Sequence, residues 1–126
     1  MKKIVLAVLI LSFFLAGCKL KENYALQASF TNELTTKNSI EATSDGVVVS
    51  IPFSDFSCNP ASFKPTLDRQ GNDFIILLDG EETVERCSYK FSATITGVGS
   101  GNYWLKVVYR QGETDQQFLY EQFKVK

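Results

Sequence analysis

The chain has 126 residues, 13 basic against 14 acidic side chains, a formal net charge of −1 and no histidine. That length suits one domain with a single core. Nothing in this charge balance suggests the basic face that nucleic acid requires, and the lack of histidine excludes imidazole metal sites and Ser-His-Asp triads.

The N-terminus reads MKKIVLAVLILSFFLAGCKLKEN. Lys2 and Lys3 form a short positive start, Ile4 to Leu15 is apolar apart from Ser12, and Ala16 and Gly17 are small. This order predicts a secretory signal. The apolar run falls short of the roughly 20 residues of a comfortable membrane span. Leu15-Ala16-Gly17-Cys18 resembles the lipobox of bacterial lipoproteins. The resemblance implies cleavage before Cys18, diacylation of its side chain and acylation of the new N-terminus. Two or more chains make such an anchor stable, each buried CH₂ contributing about 0.8 kcal/mol. The rival readings are an ordinary signal with a chance cysteine, or an uncleaved anchor. Lys19 stands where aspartate would mark retention, so resemblance to enterobacterial lipoproteins implies an outer-membrane destination. The Lys-Leu-Lys-Glu run also resembles surface-export signals of other lineages, which leaves the periplasmic or surface face open. The expected organisation is a signal peptide over 1–17, a lipidated tether over 18–23 and one domain over 24–126. Removing residues 1–17 leaves 109, with 11 basic and 14 acidic side chains, a net of −3.

Beyond the tether, Tyr24, Leu26, Ala28 and Phe30 alternate with polar or small residues, the period of a strand. Residues 31–39 are rich in Thr, Asn and Glu and read as loop. Ser44-Asp45-Gly46 is a turn signal that launches Val47 to Phe53, where Pro52 marks an edge or an end. The stretch SDFSCNPASFKP mixes turn formers with aromatics and predicts an irregular crossing. Phe63 to Arg69 is a short strand weakened by Pro65. Gln70-Gly71-Asn72 turns into Asp73 to Leu78, whose run FIILL fits a strand buried on both faces. Asp79-Gly80 turns again, and Glu81, Glu82 and Glu85 read as a solvated rim. Arg86 to Thr96 alternates most clearly, with Cys87, Tyr89, Phe91, Ala93 and Ile95 on one face. Gly97 to Asn102 is a glycine-rich turn. Tyr103 to Arg110 and Phe118 to Val125 complete about seven short strands, the pattern of an all-β sandwich or barrel.

Cys58 and Cys87 remain after the anchor cysteine. An even pair in an exported chain reads as a disulfide, worth roughly 3 to 4 kcal/mol for a loop of this size on the chain-entropy account.

The stretch YKFSATITGVGSGNYWLKVVYR, residues 89–110, resembles the strand E to strand F passage of immunoglobulin-like and fibronectin-III-like sandwiches. The matching residues are Ile95, Gly97, Val98, Gly101 and Tyr103. The resemblance implies an immunoglobulin-like β-sandwich with Tyr103 as its tyrosine corner, its hydroxyl bonded to the turn backbone. The match covers about a fifth of the mature chain. It departs from antibody domains in its cysteine positions and in carrying its tryptophan on the sixth strand.

Catalytic chemistry finds little foothold. Ser54, Ser57, Ser62 and Ser100 lie in polar or glycine-rich turns without an activating lysine, and the acidic residues after Asp79 lack calcium-loop spacing. GVGSGN leads from strand to strand, whereas a phosphate-binding loop opens a helix. If Tyr103, Leu105, Val107 and Tyr109 face the core, then Trp104, Lys106, Val108 and Arg110 face outward. Phe118 and Tyr120 would extend that face on the last strand, a composition typical of binding surfaces. The opposite reading covers this face with the rest of the chain and makes Trp104 core. The sequence therefore predicts a non-catalytic envelope lipoprotein, free of cofactors and held in the membrane at Cys18. Its sandwich would bind an envelope protein or glycan. The alternative is an inhibitor that blocks an envelope hydrolase or a receptor, phage exclusion included, by inserting Ser54 to Ala61 or Gly97 to Asn102.

Overall fold

The computed structural model describes residues 24–33 and 35–126. The expected signal sequence, Cys18 and the tether lie outside the described residues. Eight strands form: β1 Ala25–Thr31, β2 Ser39–Ala42, β3 Val47–Ser57, β4 Thr66–Gln70, β5 Asp73–Asp79, β6 Arg86–Thr96, β7 Gly101–Gln111 and β8 Thr114–Val125. They make two four-stranded sheets, ordered β1-β6-β3-β2 and β4-β5-β7-β8, and so an all-β sandwich as the period-2 pattern predicts. The strand beyond the expected seven is β2, whose four residues are too few to show a period.

Every successive strand reverses direction, so odd-numbered strands run one way and even-numbered strands the other. The first sheet alternates odd and even and is antiparallel throughout. The second places β5 beside β7, two odd strands, and this pair is parallel. Immunoglobulin sheets are antiparallel, so the β5–β7 pairing is a feature of this chain's own strand order. At one end of the sandwich lie the start of β1, the turns at 43–46 and 97–100, and the end of β8. At the other lie the ends of β3 and β5 and the start of β6. These are called the N-terminal pole and the disulfide pole below.

The core follows the pleat. Val47, Val49, Ile51 and Phe53 of β3 and Phe91, Ala93 and Ile95 of β6 face Phe74, Ile76 and Leu78 of β5 and Tyr103, Leu105, Val107 and Tyr109 of β7, all buried. Aromatic rings fill the half toward the disulfide pole, where Phe56 stacks on Tyr109 with centroids 4.7 Å apart and meets Phe63 edge-on at 4.6 Å. Such pairs contribute about 0.5–1.5 kcal/mol beyond their buried area.

Four segments differ from the expected layout. The short strand expected from Phe63 begins only at Thr66, past Pro65, and ends at Gln70. The strand β3 does not stop near Phe53; it continues to Ser57 through a register shift between Phe53 and Phe56. Pro52 is tolerated because β2 stops opposite Ser50, so past that point one flank of β3 has no ladder awaiting an N–H. The FIILL strand is buried on one face only: Phe74, Ile76 and Leu78 are core, while Ile75 and Leu77 are half-buried on the outer face. β8 begins at Thr114, four residues before the expected Phe118.

Candidate binding face and loop corners

The outer face of the second sheet is built from β5, β7 and β8. Across it Asp73 pairs with Trp104 and Ile75 with Lys106; Leu77 pairs with Val108 and Asp79 with Arg110. On the other flank Trp104 lies opposite Gln122 and Lys106 opposite Tyr120. Alternation from Tyr103 sends Trp104 outward; its indole is 37% exposed and the Tyr120 ring 45%. The two rings lie on a diagonal of the β7–β8 ladder, centroids 4.8 Å apart and planes tilted by 33°.

Of the expected face, Phe118 is elsewhere and Val108 is covered. The register shifts between Val107 and Val108, which pair with Leu119 and Gln117. Phe118 is thus the extra residue of a β-bulge. It turns to the core side, 4.7 Å from Phe53 and 6.0 Å from Tyr109 between centroids. A simple period of two puts Phe118 and Tyr120 on the same face, and the bulge separates them. Val108 keeps its outward parity but is only 7% exposed, a short side chain set between Leu77 and Gln117.

Arg110 is also occupied. Its guanidinium donates to both oxygens of Asp115, at 2.9 and 3.2 Å, and lies 3.9 Å from Asp79. The hydrogen bonds with Asp115 raise the arginine above its usual value and hold the Asp115 carboxyl below its own. Lys106, Lys124 and Lys126, by contrast, form no ion pair among the described residues. The face therefore divides into an upper half where Arg110 is neutralised and a lower half where Trp104 and Tyr120 stand among Lys106, Lys124 and the carboxylate of Asp73.

At the disulfide pole Cys58 and Cys87 are bonded, their Cα atoms 5.1 Å apart. The crossing that carries Cys58 is a fastened corner. Ser57, fully buried, donates to the Glu81 carbonyl at 2.6 Å and accepts from the Asn59 N–H at 3.1 Å. The Cys58 N–H reaches the Thr83 hydroxyl at 2.8 Å. The Ser62 hydroxyl accepts from the Glu81 N–H at 2.8 Å. Glu82 is not merely a solvated rim residue. It takes a hydrogen bond from Tyr109 and pairs with Arg86 at 2.8 Å, and Arg86 also holds Asp55 at 2.7 Å. Burial first, and then the bond to Glu82, raise the Tyr109 phenol above its ordinary range. Sequence reasoning missed this network because its members lie in four separate segments.

The glycine-rich turn at the other pole is tied back as well. Tyr103 donates its hydroxyl to the Gly99 carbonyl at 2.8 Å, and the Val98 N–H donates to Asp45 at 2.8 Å with the Val98 side chain buried. Gly97 takes φ of 82°, a region that favours glycine. The shallow pocket of about 200 Å³ beside Pro52, Phe53 and Tyr89 offers one carboxylate, Glu33, and Lys90 holds it at 2.8 Å.

Among the described residues no group of three or more metal-ligating side chains gathers, and no helix is long and apolar enough to cross a membrane. No protein-family model matches the chain. No curated protein and no solved structure matches it either.

Proposed function

We propose that this protein is a lipid-anchored, non-catalytic component of a bacterial envelope, most simply of the outer membrane, and that it works by surface contact. The observation that carries this reading is the Trp104–Tyr120 pair, two large rings exposed on the outer face of the second sheet. Exposed rings of this kind act as contact anchors. The closest carboxylates support a non-catalytic role, since Glu82, Asp55, Asp79 and Asp115 all lie against arginine rather than standing as a free acid–base pair.

Ring geometry bears on the ligand. A sugar platform needs ring faces turned to solvent, whereas these two rings spend part of their faces on each other. That argues for a broad surface as the partner over a stacked glycan. The inhibitor alternative is less well supported, because both candidate loops bury their own apolar side chains, Phe56 in one and Val98 in the other. An inhibitory loop instead projects such a side chain into its target.

The test is photocrosslinking in intact cells, with a photoreactive residue at Gln122 on the aromatic face or at Ser92 on the opposite face. Adducts confined to position 122 are the expected result. Equal labelling at 92, or none at either site, would overturn the platform reading.

A further inference from the structure

The lower half of the aromatic face carries three lysines, none held in an ion pair among the described residues. Against them stands the carboxylate of Asp73, in register with Trp104, while Lys106 also attracts Asp115. After the bulge β8 alternates regularly, so Lys124 shares the parity of Tyr120, and Lys106 lies directly opposite Tyr120; Lys126 follows the last residue of the strand and lines one shallow pocket with Lys124. Trp104 and Tyr120 stand among them. The outer face of the first sheet is different in kind. Gln27, Ser29, Ser50, Ser92 and Thr94 dominate it, and its lysine, Lys90, is paired with Glu33.

The length of chain before the fold restricts what can reach each face. Six residue steps separate Cys18 from Tyr24, a reach of about 20 Å when fully extended. Tyr24 is fastened where the fold begins. Its ring packs on Phe74 at 5.0 Å, and the Arg69 guanidinium lies 5.5 Å over it. Phe74 pairs with Leu105, the neighbour of Trp104. Tyr24 thus fixes the start of the fold at the level of Trp104 along the strands, on the β4 side of the second sheet. The twelve residues of β8 span roughly 40 Å, so a tether of half that length cannot let the domain stand on its disulfide pole.

We propose that the Trp104–Tyr120–Lys106–Lys124–Lys126 patch docks on the anionic phospholipid headgroups of the membrane in which Cys18 is anchored. The inference rests on the lipid-anchor reading and names the partner of the proposed face. Tryptophan and tyrosine suit the headgroup level because each has an apolar ring and a polar tip, and lysines beside them are drawn to anionic lipid. The anchor holds the patch beside that surface at high effective concentration. The acidic disulfide pole, with Glu81, Glu82, Glu85 and Asp55, then points away from the bilayer.

Trp104 is the sole tryptophan, so its fluorescence reports on this patch alone. The acylated mature protein is reconstituted into phosphatidylglycerol-containing and pure phosphatidylcholine vesicles bearing brominated acyl chains. In the anionic vesicles the emission is expected to move to the blue, with bromine quenching roughly twofold or more above that in the zwitterionic vesicles. Salt near 0.5 M, or the triple variant K106Q/K124Q/K126Q with an unchanged circular dichroism spectrum, should remove at least about half of the difference. An acylated protein that floats with the vesicles while Trp104 stays unquenched overturns this inference and leaves the anchor intact. A mature chain whose mass shows no acyl group overturns the anchor and the inference together. Protection of Trp104 that appears only when envelope proteins are added assigns the face to a protein and also overturns the lipid proposal.

Discussion

Gly46 shows how a residue's reason can differ from its apparent one. Ser-Asp-Gly announces a turn, yet what demands glycine is proximity. A Cβ at position 46 would lie 1.7 Å from the Ile95 carbonyl oxygen. Gly46→Ala is expected to cost about 3 kcal/mol or more, since backbone rather than a movable side chain must yield; urea denaturation would measure it. Gly71, with φ of 62° and open space around it, should lose only about 1 kcal/mol on the same change. Tyr109 makes a pH prediction. Its folded value lies above the ordinary one of 10.0, through burial and the bond to Glu82. The native protein therefore keeps this proton after the unfolded chain has lost it. Stability from this group is complete below pH 10 and falls as the pH climbs through the raised value. Tyr109→Phe should flatten that alkaline decline, and an unchanged alkaline limb in thermal melts would remove Tyr109 as its cause.

At the scale of single elements, β8 is where the one-dimensional pattern and the fold part company. Phe118 and Tyr120 are two apart and read as neighbours on one face, but the bulge sends Phe118 inward. Phe118→Ala should therefore cost about 2–3 kcal/mol as a large-to-small change against the core. Trp104→Ala on the outer face should cost less than about 1 kcal/mol. Equal losses in a paired denaturation series would contradict the placement of either ring. The disulfide is the other local device. It joins the end of β3 to β6 where the Phe53–Phe56 shift interrupts their ladder, so it fastens one sheet rather than pinning the two together. Reduction is expected to lower stability by about 3–4 kcal/mol while the β-sheet circular dichroism persists. A melting temperature insensitive to reductant would show that the bridge adds nothing.

For the whole molecule, half of the strand ladders join partners distant in the chain. β1 waits for β6 across four intervening strands, and β5 for β7 across β6. Folding that must close such loops before gaining contacts is slow, so stopped-flow refolding should fall in the millisecond-to-second range rather than in microseconds. Much of this architecture was legible beforehand. The alternation in residues 86–110 named the core residues Phe91, Ala93, Ile95, Tyr103, Leu105, Val107 and Tyr109, because a strand with one face in oil and one in water must write its burial into every second residue. The cysteine pair could be read from parity. The aromatic face was half legible: Trp104 and Tyr120 from alternation, but neither Ile75 nor Leu77, which a continuous apolar run hides, nor the tying of Arg110 to Asp115.

Sequence alone determined the all-β class, the burial parity of β3, β6 and β7, the disulfide partners and the signal-like N-terminus, since each depends on local order along the chain. Tertiary structure alone decided which strands lie side by side, that β5 and β7 run parallel, that Phe118 leaves the outer face, and which cations remain unpaired. Those outcomes depend on contacts between residues far apart in the chain. A period of two cannot reveal an inserted residue until a partner strand supplies the register against which it is extra.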